Sequence, residues 1–449
     1  MSDKRDLLII GGGLVGMTLA LAAARRRFSS HVVDSADPAE LTAQGFDGRA
    51  SAISTASWNL FTNIGIADAL EPYGCPIDSI AVSDQLKPGR IDFAPAPHNG
   101  TLGRMFANRE LRLALFEAAA SEPLIAWHAP ANVVTRERGE FGVSATLADG
   151  TLLEAALMVG AEGRRSPTRE EEGLKMAKWD YHHRAIIVGL THSKPHGNLA
   201  WEIFYPDGPF ALLPMLDDPD GTHHTALVWT VSEKDAAGVL KLSERAFLAE
   251  LIKRMGDLLG EVTLSSPRSS YPLSLQHTVR ITGDRLVLVG DSAHGMHPIA
   301  GQGLNLGLRD VGALVEVIEE ARRLGLDIGD AQALKRYENW RALDSVMVMS
   351  ATDTLTRLFG LKGRTASAVR RLGMAGIQRM PMLKQWFMDE ARGVSGDAPQ
   401  FLRACAQRQL PGEATGLRCS TGLPAPSRKR PGSSTAAVSM VSSASIAAE

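Results

Sequence analysis

The sequence contains few cysteines and no motif that pairs them. Only three occur in 449 residues, Cys75, Cys405 and Cys419, and no two form a CxxC pair. Zinc sites and redox dithiols need closely spaced pairs, and disulfide scaffolds need a denser cysteine content. The sequence therefore predicts no metal site, no disulfide framework and a protein of a reducing compartment, which we take to be the cytoplasm.

The chain also lacks an excess of charge of either sign. Lysine and arginine together number 48 and aspartate and glutamate 50, so the formal net charge is -2. A protein that binds a polyanion usually carries a clear basic excess. We therefore expect no nucleic-acid partner, and a charged content of 22% is that of an ordinary globular protein.

No long apolar run is free of interruption. The most hydrophobic stretch, residues 7–24, contains Gly11, Gly12, Gly13 and Gly16, and no small-residue cleavage site follows it. A transmembrane helix needs about 20 consecutive apolar residues, and a secretory signal ends at a cleavage site. The sequence therefore predicts neither, and the spacing of the glycines indicates another use for this segment.

That segment is predicted to be a βαβ unit. Residues 7–10 form a short apolar run typical of a buried strand, residues 14–27 are rich in alanine and leucine, and residues 31–34 resemble the next strand. The glycines lie between the first strand and the helix, in the GxGxxG pattern. A lone GxGxxG is a weak signal, but this context predicts a dinucleotide site.

Each part of the motif has a physical reason. Gly11 permits the tight turn, Gly13 lets a pyrophosphate approach the backbone, and Gly16 lets the helix and strand pack closely. The helix N-terminus offers unpaired N–H groups to the phosphates. Asp34 follows at the distance expected for a carboxylate that binds ribose hydroxyls. This motif alone does not distinguish FAD from NAD.

A second motif lies near residue 300. Asp291 follows a predicted strand at residues 285–290, at the sheet edge where α/β proteins bind ligands. Pro298, Gly301 and Gly303 then lead into a helix whose N-terminus presents unpaired N–H groups with partial positive charge. Such a helix end would stabilise the negative charge of a reduced flavin.

The segment from His297 to Asp310 resembles the signature of the ubiquinone-biosynthesis hydroxylase (UbiH) family. The pattern His-Pro-x-x-Gly-Gln-Gly-x-Asn-x-Gly-x-x-Asp is matched at every fixed position. Residues 47–50, 108–111 and 208–214 are also similar to the family. The resemblance implies a para-hydroxybenzoate hydroxylase-like fold, FAD and NAD(P)H as cofactors, and addition of one oxygen atom of O2 to a polyprenylated phenol in ubiquinone biosynthesis.

The same resemblance assigns residues to the cofactor. The glycine motif and Asp34 bind the ADP half, Arg49 and Arg109 reach the pyrophosphate or ribitol, and Asp291 contacts the ribitol. No residue stands out as a catalytic base. The residues expected to contact FAD are Gly11, Gly13, Leu14, Val15, Gly16, Asp34, Arg49, Arg109, Val133, Glu162, Gly163, Asp291, Pro298, Gly301, Gln302, Gly303, Leu304 and Asn305.

One position departs from the family pattern. The family usually has Asp-Gly in a motif near both FAD and NAD(P)H, whereas this chain has Glu162-Gly163. Glutamate keeps the charge but adds a methylene. We therefore expect a shifted geometry on this side of the cofactor.

These observations predict an α/β protein. A Rossmann-type FAD-binding domain carries an inserted, mostly antiparallel β-sheet substrate domain and C-terminal helices. The first part of the FAD-binding domain spans residues 1–172, with a substrate-side excursion near 75–104. Residues 173–277 form the inserted sheet, residues 278–403 the second part with the C-terminal helices, and residues 404–449 a disordered tail of small and polar residues.

A polyprenylated substrate lies in a membrane, so the enzyme has to reach one. Residues 355–393 mix apolar and aromatic side chains with basic ones, as interfacial helices do. The competing interpretation is that these helices close the FAD-binding domain with their basic faces in solvent. We expect a cytoplasmic protein, and peripheral association with the inner membrane face or a membrane-bound complex is one interpretation. The oligomeric state is not predicted.

Other functions stay open at this point. A non-catalytic flavin-binding module, or an FAD monooxygenase acting on another aromatic substrate, would share these motifs. A disulfide reductase would need a second GxGxxG and a redox cysteine pair, and a halogenase would need a Trp-x-Trp-x-Ile pattern. The sequence has none of these. Flavin reduction by NAD(P)H with oxygen uptake separates an enzyme from a binding module.

Overall fold

The computed structural model of the protein describes residues 3–43, 45–95, 100–296, 301–360 and 380–404. Several sequence predictions fall outside these ranges. They concern Pro298, residues 361–379 of the segment with interfacial character, and residues 405–449 of the predicted tail.

The predicted βαβ unit opens the chain. Strand β1 (Arg5–Ile10) leads through the glycines into helix α1 (Leu14–Arg25), and strand β2 (Ser30–Val33) pairs with β1 in parallel. All β1 side chains from Leu7 to Ile10 are buried, as expected for a strand covered on both faces. The helix is shorter than predicted because Arg27 adopts a φ of 62°, which is incompatible with a continued helix.

Six further strands join β1 and β2 in an eight-stranded sheet. They are β8 (Ile125–His128), β9 (Val133–Gly139), β10 (Gly142–Leu147), β11 (Leu152–Gly160), β18 (Thr282–Gly283) and β19 (Leu286–Leu288). The order is β18-β19-β11-β1-β2-β8, and β9 and β10 extend from β11 as an antiparallel hairpin. Strands β19, β11, β1, β2 and β8 are parallel.

Nine strands form the second sheet. They are β5 (Ser79–Asp84), β6 (Ile91–Phe93), β12 (Met176–His192), β13 (Leu199–Tyr205), β14 (Gly208–Met215), β15 (His223–Ser232), β16 (Val262–Leu264), β17 (Ser269–Thr278) and β20 (His294–Gly295). The order is β20-β17-β12-β15-β14-β13-β5-β6, with β16 paired to β12. Pairing is antiparallel except between β13 and β5. This is the predicted, mostly antiparallel inserted sheet.

A small third sheet and the helices complete the described structure. The third sheet has the order β3-β7-β4 and consists of β3 (Ala50–Ser54), β4 (Cys75–Ile77) and β7 (Gly103–Ala107). The remaining helices are α2 (Pro38–Ala43), α3 (Thr55–Ile64), α4 (Ala67–Leu70), α5 (Asn108–Ala120), α6 (Pro167–Glu171), α7 (Glu233–Lys241), α8 (Glu244–Met255), α9 (Gln302–Arg323), α10 (Ala331–Gly360) and α11 (Pro381–Arg392). Short 3-10 turns lie at Glu71–Tyr73, Gly163–Arg165, Gly290–Ser292 and Gln400–Leu402.

Alternate side chains of β1 enter two different cores. Leu7 and Ile9 pack with α1, α5 and α9, whereas Leu8 and Ile10 pack with the β9–β10 hairpin. Burying one such side chain contributes about 1.5–3 kcal/mol. The parallel sheet is therefore fixed from both sides, which holds the carboxyl ends of its strands in place.

The second sheet has its own core on one face. Phe210 and Trp229 of the sheet pack against Phe247 of α8, with Ala236 of α7 nearby. The opposite face contributes to a cavity described below. The predicted domain boundaries at residues 172 and 277 remain predictions, but the topology places β5 and β6, from the predicted excursion, in the same sheet as residues 176–278.

Candidate active site

A cavity of about 1400 Å³ opens between the first and second sheets. Its lining combines the loop after β1, β9, the start of α9 and one face of the second sheet. Ordinary small-molecule sites enclose about 300–1,000 Å³, so this cavity has room for a dinucleotide and a second ligand. The predicted cofactor residues in its lining are Gly11, Gly13, Leu14, Val15, Asp34, Arg49, Val133, Glu162, Gly163, Asp291, Gly301, Gly303 and Leu304.

The three motif glycines have different roles. Gly11 has a φ of 106°, and a Cβ there would lie 2.4 Å from the carbonyl oxygen of Ala161. A Cβ on Gly16 would lie 1.9 Å from the carbonyl oxygen of Gly11. Both glycines are therefore required by packing, and Gly16 lies behind the cavity lining. An added Cβ on Gly13 would have no atom within 4 Å, so this residue leaves open space toward the cavity.

The start of α1 is available to an anion. Its N-cap residue is Gly13, and no side chain caps the first turn. Unpaired N–H groups at a helix N-terminus carry partial positive charge. The open space at Gly13 lets a phosphate reach them, which is the role predicted from the sequence.

Asp34 follows β2 at the same end of the cavity. Its Oδ2 accepts a hydrogen bond from the Gly12 N–H at 2.7 Å, and its Oδ1 accepts one from the Ala36 N–H at 2.8 Å. These bonds fix the carboxylate beside the glycine loop. Each carboxylate oxygen has a further lone pair, so Asp34 can still accept from a ribose hydroxyl.

Two arginines line this end of the cavity, and only one was predicted. Arg49 lines it as expected and pairs with Asp47 at 2.7 Å. Arg109 does not line it, because its Nε donates to the carbonyl oxygen of Thr42 at 2.8 Å. Arg112, one turn further along α5, lines the cavity instead.

Arg112 is a cation without a protein partner. Its guanidinium forms no hydrogen bond or ion pair with the described residues. Burial lowers its pKa, and the nearby charge of Arg49 lowers it further. A half-buried, unpaired cation is unfavourable unless an anion binds beside it. Together with the uncapped α1 terminus and the open space at Gly13, Arg112 fits the pyrophosphate of FAD.

The N-terminus of α9 is a second place in the cavity lining where negative charge can be stabilised. Its N-cap, Gly301, adopts a φ of 63°, and no side chain caps the helix. Gly303 and Leu304 line the cavity, whereas Gln302 is outside the lining. The first N–H groups of α9 are thus placed to stabilise negative charge on a ligand.

Asn305, a predicted cofactor residue, instead joins α9 to β3. Its Oδ1 accepts from the Ser54 N–H at 2.9 Å, and its Nδ2 donates to the carbonyl oxygens of Ala52 at 2.8 Å and Gly301 at 3.1 Å. The side chain is buried and outside the cavity lining. Asn305 therefore acts on the cavity through the position of the α9 N-terminus.

Glu162 lies in the lining, but protein groups hold its carboxylate. Oε2 accepts from Ser166 Oγ at 2.5 Å and from the Thr168 N–H at 3.1 Å, and Oε1 lies 3.2 Å from Arg136 Nη2. Arg136 also lines the cavity. The extra methylene of glutamate is thus accommodated by bonds to the start of α6, and Gly163 stays in the cavity wall.

Asp291 lies at the end of the parallel sheet, as predicted, and lines the cavity. Its Oδ2 pairs with Arg164 Nε at 3.2 Å, and Arg164 Nη1 donates to the carbonyl oxygen of Ser274 at 3.0 Å. Arg164 therefore connects the Asp291 turn to β17. The two sheets are linked at the point where the cavity lies between them.

A buried ionic network fixes the same turn from behind. Asp310 accepts from the Gly290 N–H at 2.8 Å and from Arg341 Nε at 2.6 Å, and His294 Nε2 lies 2.8 Å away. Burial opposes ionisation of Asp310, but the charges of His294 and Arg341 lower its pKa. The carboxylate stays charged in the interior and holds α9, α10 and the Asp291 turn together.

The cavity face of the second sheet is mainly apolar. Successive side chains of a strand point to opposite faces of the sheet. Ile203 and Phe210 therefore pack in the core under α7 and α8, whereas the residues next to them in sequence line the cavity. Tyr271 of β17 also lines this face, and burial raises its pKa to about 12. The side chains on this face are Ile80, Val82, Ala200, Glu202, Phe204, Ala211, Leu213, Val228, Thr230 and Tyr271.

Glu202 is the acidic member of that face and was not predicted from the sequence. Burial alone raises its pKa to about 7. Within the sequence Trp201-Glu202-Ile203-Phe204, an acidic residue in a strand normally indicates a solvated face. Only the tertiary structure reveals that this face is covered.

The described residues lack two other features. None of their helices is long and apolar enough to cross a bilayer. They contain no cluster of three or more histidine, cysteine, aspartate or glutamate side chains arranged to hold a metal ion.

Comparison with known proteins agrees with the geometry. Residues 4–349 match a family model described as an FAD binding domain. The chain is 43% identical to ubiquinone hydroxylase UbiL of Rhodospirillum rubrum over 406 residues, which are 90% of this chain and 94% of that protein. It is 31% identical to 3-demethoxyubiquinol 3-hydroxylase of Escherichia coli, with 88% of this chain and 100% of that protein covered.

A solved structure supports the fold. The p-nitrophenol 4-monooxygenase PnpA of Pseudomonas putida superposes with a TM-score of 0.72, covering 88% of this chain and 99% of that one at 18% identity. The fold and the cavity therefore define an FAD-dependent monooxygenase of the para-hydroxybenzoate hydroxylase type. The chain belongs to the FAD binding domain family and, within it, to the ubiquinone-biosynthesis hydroxylases, which confirms the resemblance found in the sequence.

Proposed function

We propose that this protein hydroxylates a polyprenylated phenol in ubiquinone biosynthesis, with FAD as the bound cofactor and NAD(P)H as the reductant. The observation that carries the proposal is one continuous cavity. Its first part has the anion-binding helix ends and Arg112, and its second part is the apolar face of the second sheet. A flavin fits the first part and a phenol with an apolar tail fits the second.

The apolar part suits a prenylated ring in composition. Aliphatic and aromatic side chains exclude water and bind a hydrocarbon tail through burial of surface, at about 25 cal/mol per Å². The relatives named above are by name a ubiquinone hydroxylase and a 3-demethoxyubiquinol 3-hydroxylase, which favours a substrate of the ubiquinone class here. The wall on this side includes Ile80, Val82, Ile91, Phe93, Leu213 and Phe387.

The protein residues have identifiable tasks toward these ligands. The α1 N-terminus, Arg49 and Arg112 would bind the pyrophosphate, Asp34 the ribose and Asp291 the ribitol. When bound, FAD accepts a hydride and activates O2, and that chemistry belongs to the cofactor. The α9 N-terminus would stabilise negative charge on the reduced ring system.

The proposal has two further elements, which are the reductant and the association with a membrane. NAD(P)H is the reductant typical of the family. The prenyl tail requires access to a membrane, so we propose peripheral association with its inner face or with a membrane-bound complex. Flotation of the FAD-loaded protein with vesicles that contain anionic lipid tests the second element, and recovery only at the bottom of the gradient would contradict it.

The decisive experiment is a quinone profile of a strain that lacks this gene. We expect ubiquinone to fall and a prenylated precursor without one ring oxygen to accumulate, and the precursor identifies the ring position. The strain must carry no second hydroxylase of the same specificity. A normal ubiquinone content in such a strain would overturn the proposed function. That result would still be compatible with an FAD monooxygenase that acts on another aromatic compound.

A further inference from the structure

Glu202 places a carboxylate on the substrate side of the cavity. It lies in the middle of β13, and its cross-strand neighbours are Val82 of β5 and Ala211 of β14. Ala211 in turn pairs with Val228 of β15, which also lines the cavity. The carboxylate is therefore set among aliphatic side chains, on the wall that faces the proposed substrate.

The carboxylate has no partner among the described residues. It forms neither a hydrogen bond nor an ion pair with them, and loss of hydration is the one cause of its raised pKa. The other cavity carboxylates differ, since Asp34, Glu162 and Asp291 are each held by protein donors. A buried polar group without a protein partner is unfavourable. Its retention beside a cavity indicates that a ligand supplies the partner.

We propose that Glu202 accepts the hydrogen bond and then the proton of the substrate's phenol hydroxyl. The inference rests on the proposed function for the statement that the substrate is a phenol. A phenol reacts with an oxygen donor through a ring carbon, and removal of its proton makes that carbon more nucleophilic. Among the described residues of the cavity's apolar wall, Glu202 is the group chemically suited to this task.

The proton and electron transfers balance. The phenol O–H bond breaks and an O–H bond forms on Glu202, while the electron pair left on the phenol oxygen supports formation of the new ring C–O bond. One atom of O2 is transferred to the ring and the other leaves as water, with two electrons supplied by NAD(P)H. When the ring regains aromaticity, its C–H proton is released and the carboxyl proton returns to the phenol oxygen. Glu202 is then a carboxylate again.

The pKa of Glu202 suits this exchange. Burial raises it to about 7, so near neutral pH the group is partly ionised, and its conjugate acid readily returns the proton. Other titratable groups could also make phenol binding depend on pH, and their effect has to be distinguished from that of Glu202. Among the described residues, they are Asp84 on the same face of β5, Tyr271 at the far side of the sheet face, and Asp344 of α10, a helix that contacts β13.

A binding experiment tests the proposal without turnover. The FAD-loaded protein is titrated with 2-geranylphenol and with its methyl ether, which lacks the hydroxyl proton. We expect the native protein to prefer the phenol by at least about tenfold in Kd, because a carboxylate accepts a strong hydrogen bond. The preference should grow from about pH 6 to about pH 8 as Glu202 ionises.

The variant Glu202→Gln keeps the size but cannot take the proton. Its phenol preference should fall by about tenfold and lose its pH dependence. Tyr271→Phe removes the other titratable group of the wall and should keep the preference, and Glu137→Gln, an exposed position on β9, is the matched control. An equal preference in the native protein and Glu202→Gln, or a native preference that does not change with pH, would overturn the proposal.

Turnover provides an independent readout. Glu202→Gln should lower kcat at least tenfold with a smaller change in KM, and the rise of kcat between about pH 6 and about pH 8 should disappear. The prenyl tail of the probe tests the proposed substrate class instead of the role of Glu202. If 2-geranylphenol binds no better than unsubstituted phenol, the prenylated substrate class is wrong, whereas the hydroxyl preference still decides the role of Glu202.

Discussion

At the scale of single residues, two glycines of the motif have different tasks. Packing requires Gly16, whereas Gly13 leaves space for a ligand. Gly16→Ala would bring a Cβ to 1.9 Å from the Gly11 carbonyl oxygen, whereas Gly13→Val would project into open space. We expect Gly13→Val to keep the thermal stability of the FAD-free protein and to lose FAD affinity at least about tenfold. Gly16→Ala should lower the stability itself. Fluorescence titration and thermal denaturation of both variants check this, and unchanged FAD affinity in Gly13→Val would contradict it.

Arg112 and Arg109 form a second matched pair on α5. Arg112 faces the cavity and has no partner among the described residues, whereas Arg109 donates to Thr42. Arg112→Met should weaken FAD binding by about 1.5–3 kcal/mol, the range for a charged hydrogen bond, and should not destabilise the FAD-free protein. Arg109→Met should leave FAD affinity nearly unchanged. The reverse order in an FAD titration would show that the sequence prediction for Arg109 was right.

Glu202 also makes stability depend on pH. Its folded-state pKa of about 7 lies above the ordinary value of 4.5. Below pH 4.5 both states are protonated; above it only the unfolded state releases the proton, so the folded state loses stability until about pH 7. Glu202→Gln removes this loss, so its advantage over the native protein should grow across that window, to at most about 3 kcal/mol. Denaturant titrations of the FAD-free proteins at several pH values measure it, and a constant difference would argue against a buried carboxyl.

Individual residues also show which parts of the candidate site can be predicted from the sequence. The positions of Gly11, Gly13 and Asp34 beside one loop were predictable because they depend on local backbone geometry within one βαβ unit. Arg109 and Arg112 are three residues apart on one helix, and the rotation of α5 against the sheet decides which of them reaches the cavity. That rotation depends on packing across the whole core, so a single sequence cannot supply it. For the same reason, the sequence alone does not show that the Asn305 side chain bonds to β3 and lies outside the cavity lining.

At the scale of elements, periodicity predicted most helices and strands closely. The predicted strands at residues 7–10 and 31–34 compare with β1 at Arg5–Ile10 and β2 at Ser30–Val33, and the predicted strand at 285–290 with β19 at Leu286–Leu288. The length of β12, Met176–His192, does not follow from the sequence pattern. Its first half is only partly buried and carries charged and histidine side chains, so it lacks the apolar alternation of a buried strand.

The network around Asp310 is what joins α9, α10 and the Asp291 turn. Asp310→Ala would leave the Gly290 N–H and the Nε of Arg341 without their partner in the interior, although Arg341 keeps its ion pair with Asp344. Breaking a buried ion pair in this way costs about 3–5 kcal/mol, and we expect a loss of that size in the free energy of unfolding of the FAD-free protein. Asp397→Ala, which removes an exposed ion pair with Arg403, should cost at most about 1 kcal/mol. Equal losses would mean that the network does not fix the turn.

At the scale of the whole molecule, the cavity arises from contacts that no local pattern encodes. Strand β5 pairs with β13 across more than a hundred residues, and this pairing adds Val82 to the wall beside Glu202. The sequence predicted an inserted sheet and a flavin domain, but not which sheet face would turn inward. Glu202 therefore resembled an ordinary solvated residue until the two sheets were seen on opposite sides of one cavity.

We infer that this cavity holds FAD and a prenylated phenol together for oxygen transfer. The most direct test supplies the FAD-loaded protein with NADH or NADPH, 2-geranylphenol and isotopically heavy dioxygen, and measures the product by mass spectrometry. We predict a phenol that has gained one heavy oxygen atom, in an amount close to the nicotinamide oxidised. Oxidation of the nicotinamide with hydrogen peroxide as the sole oxygen product, or a protein that takes up no FAD, would contradict the account.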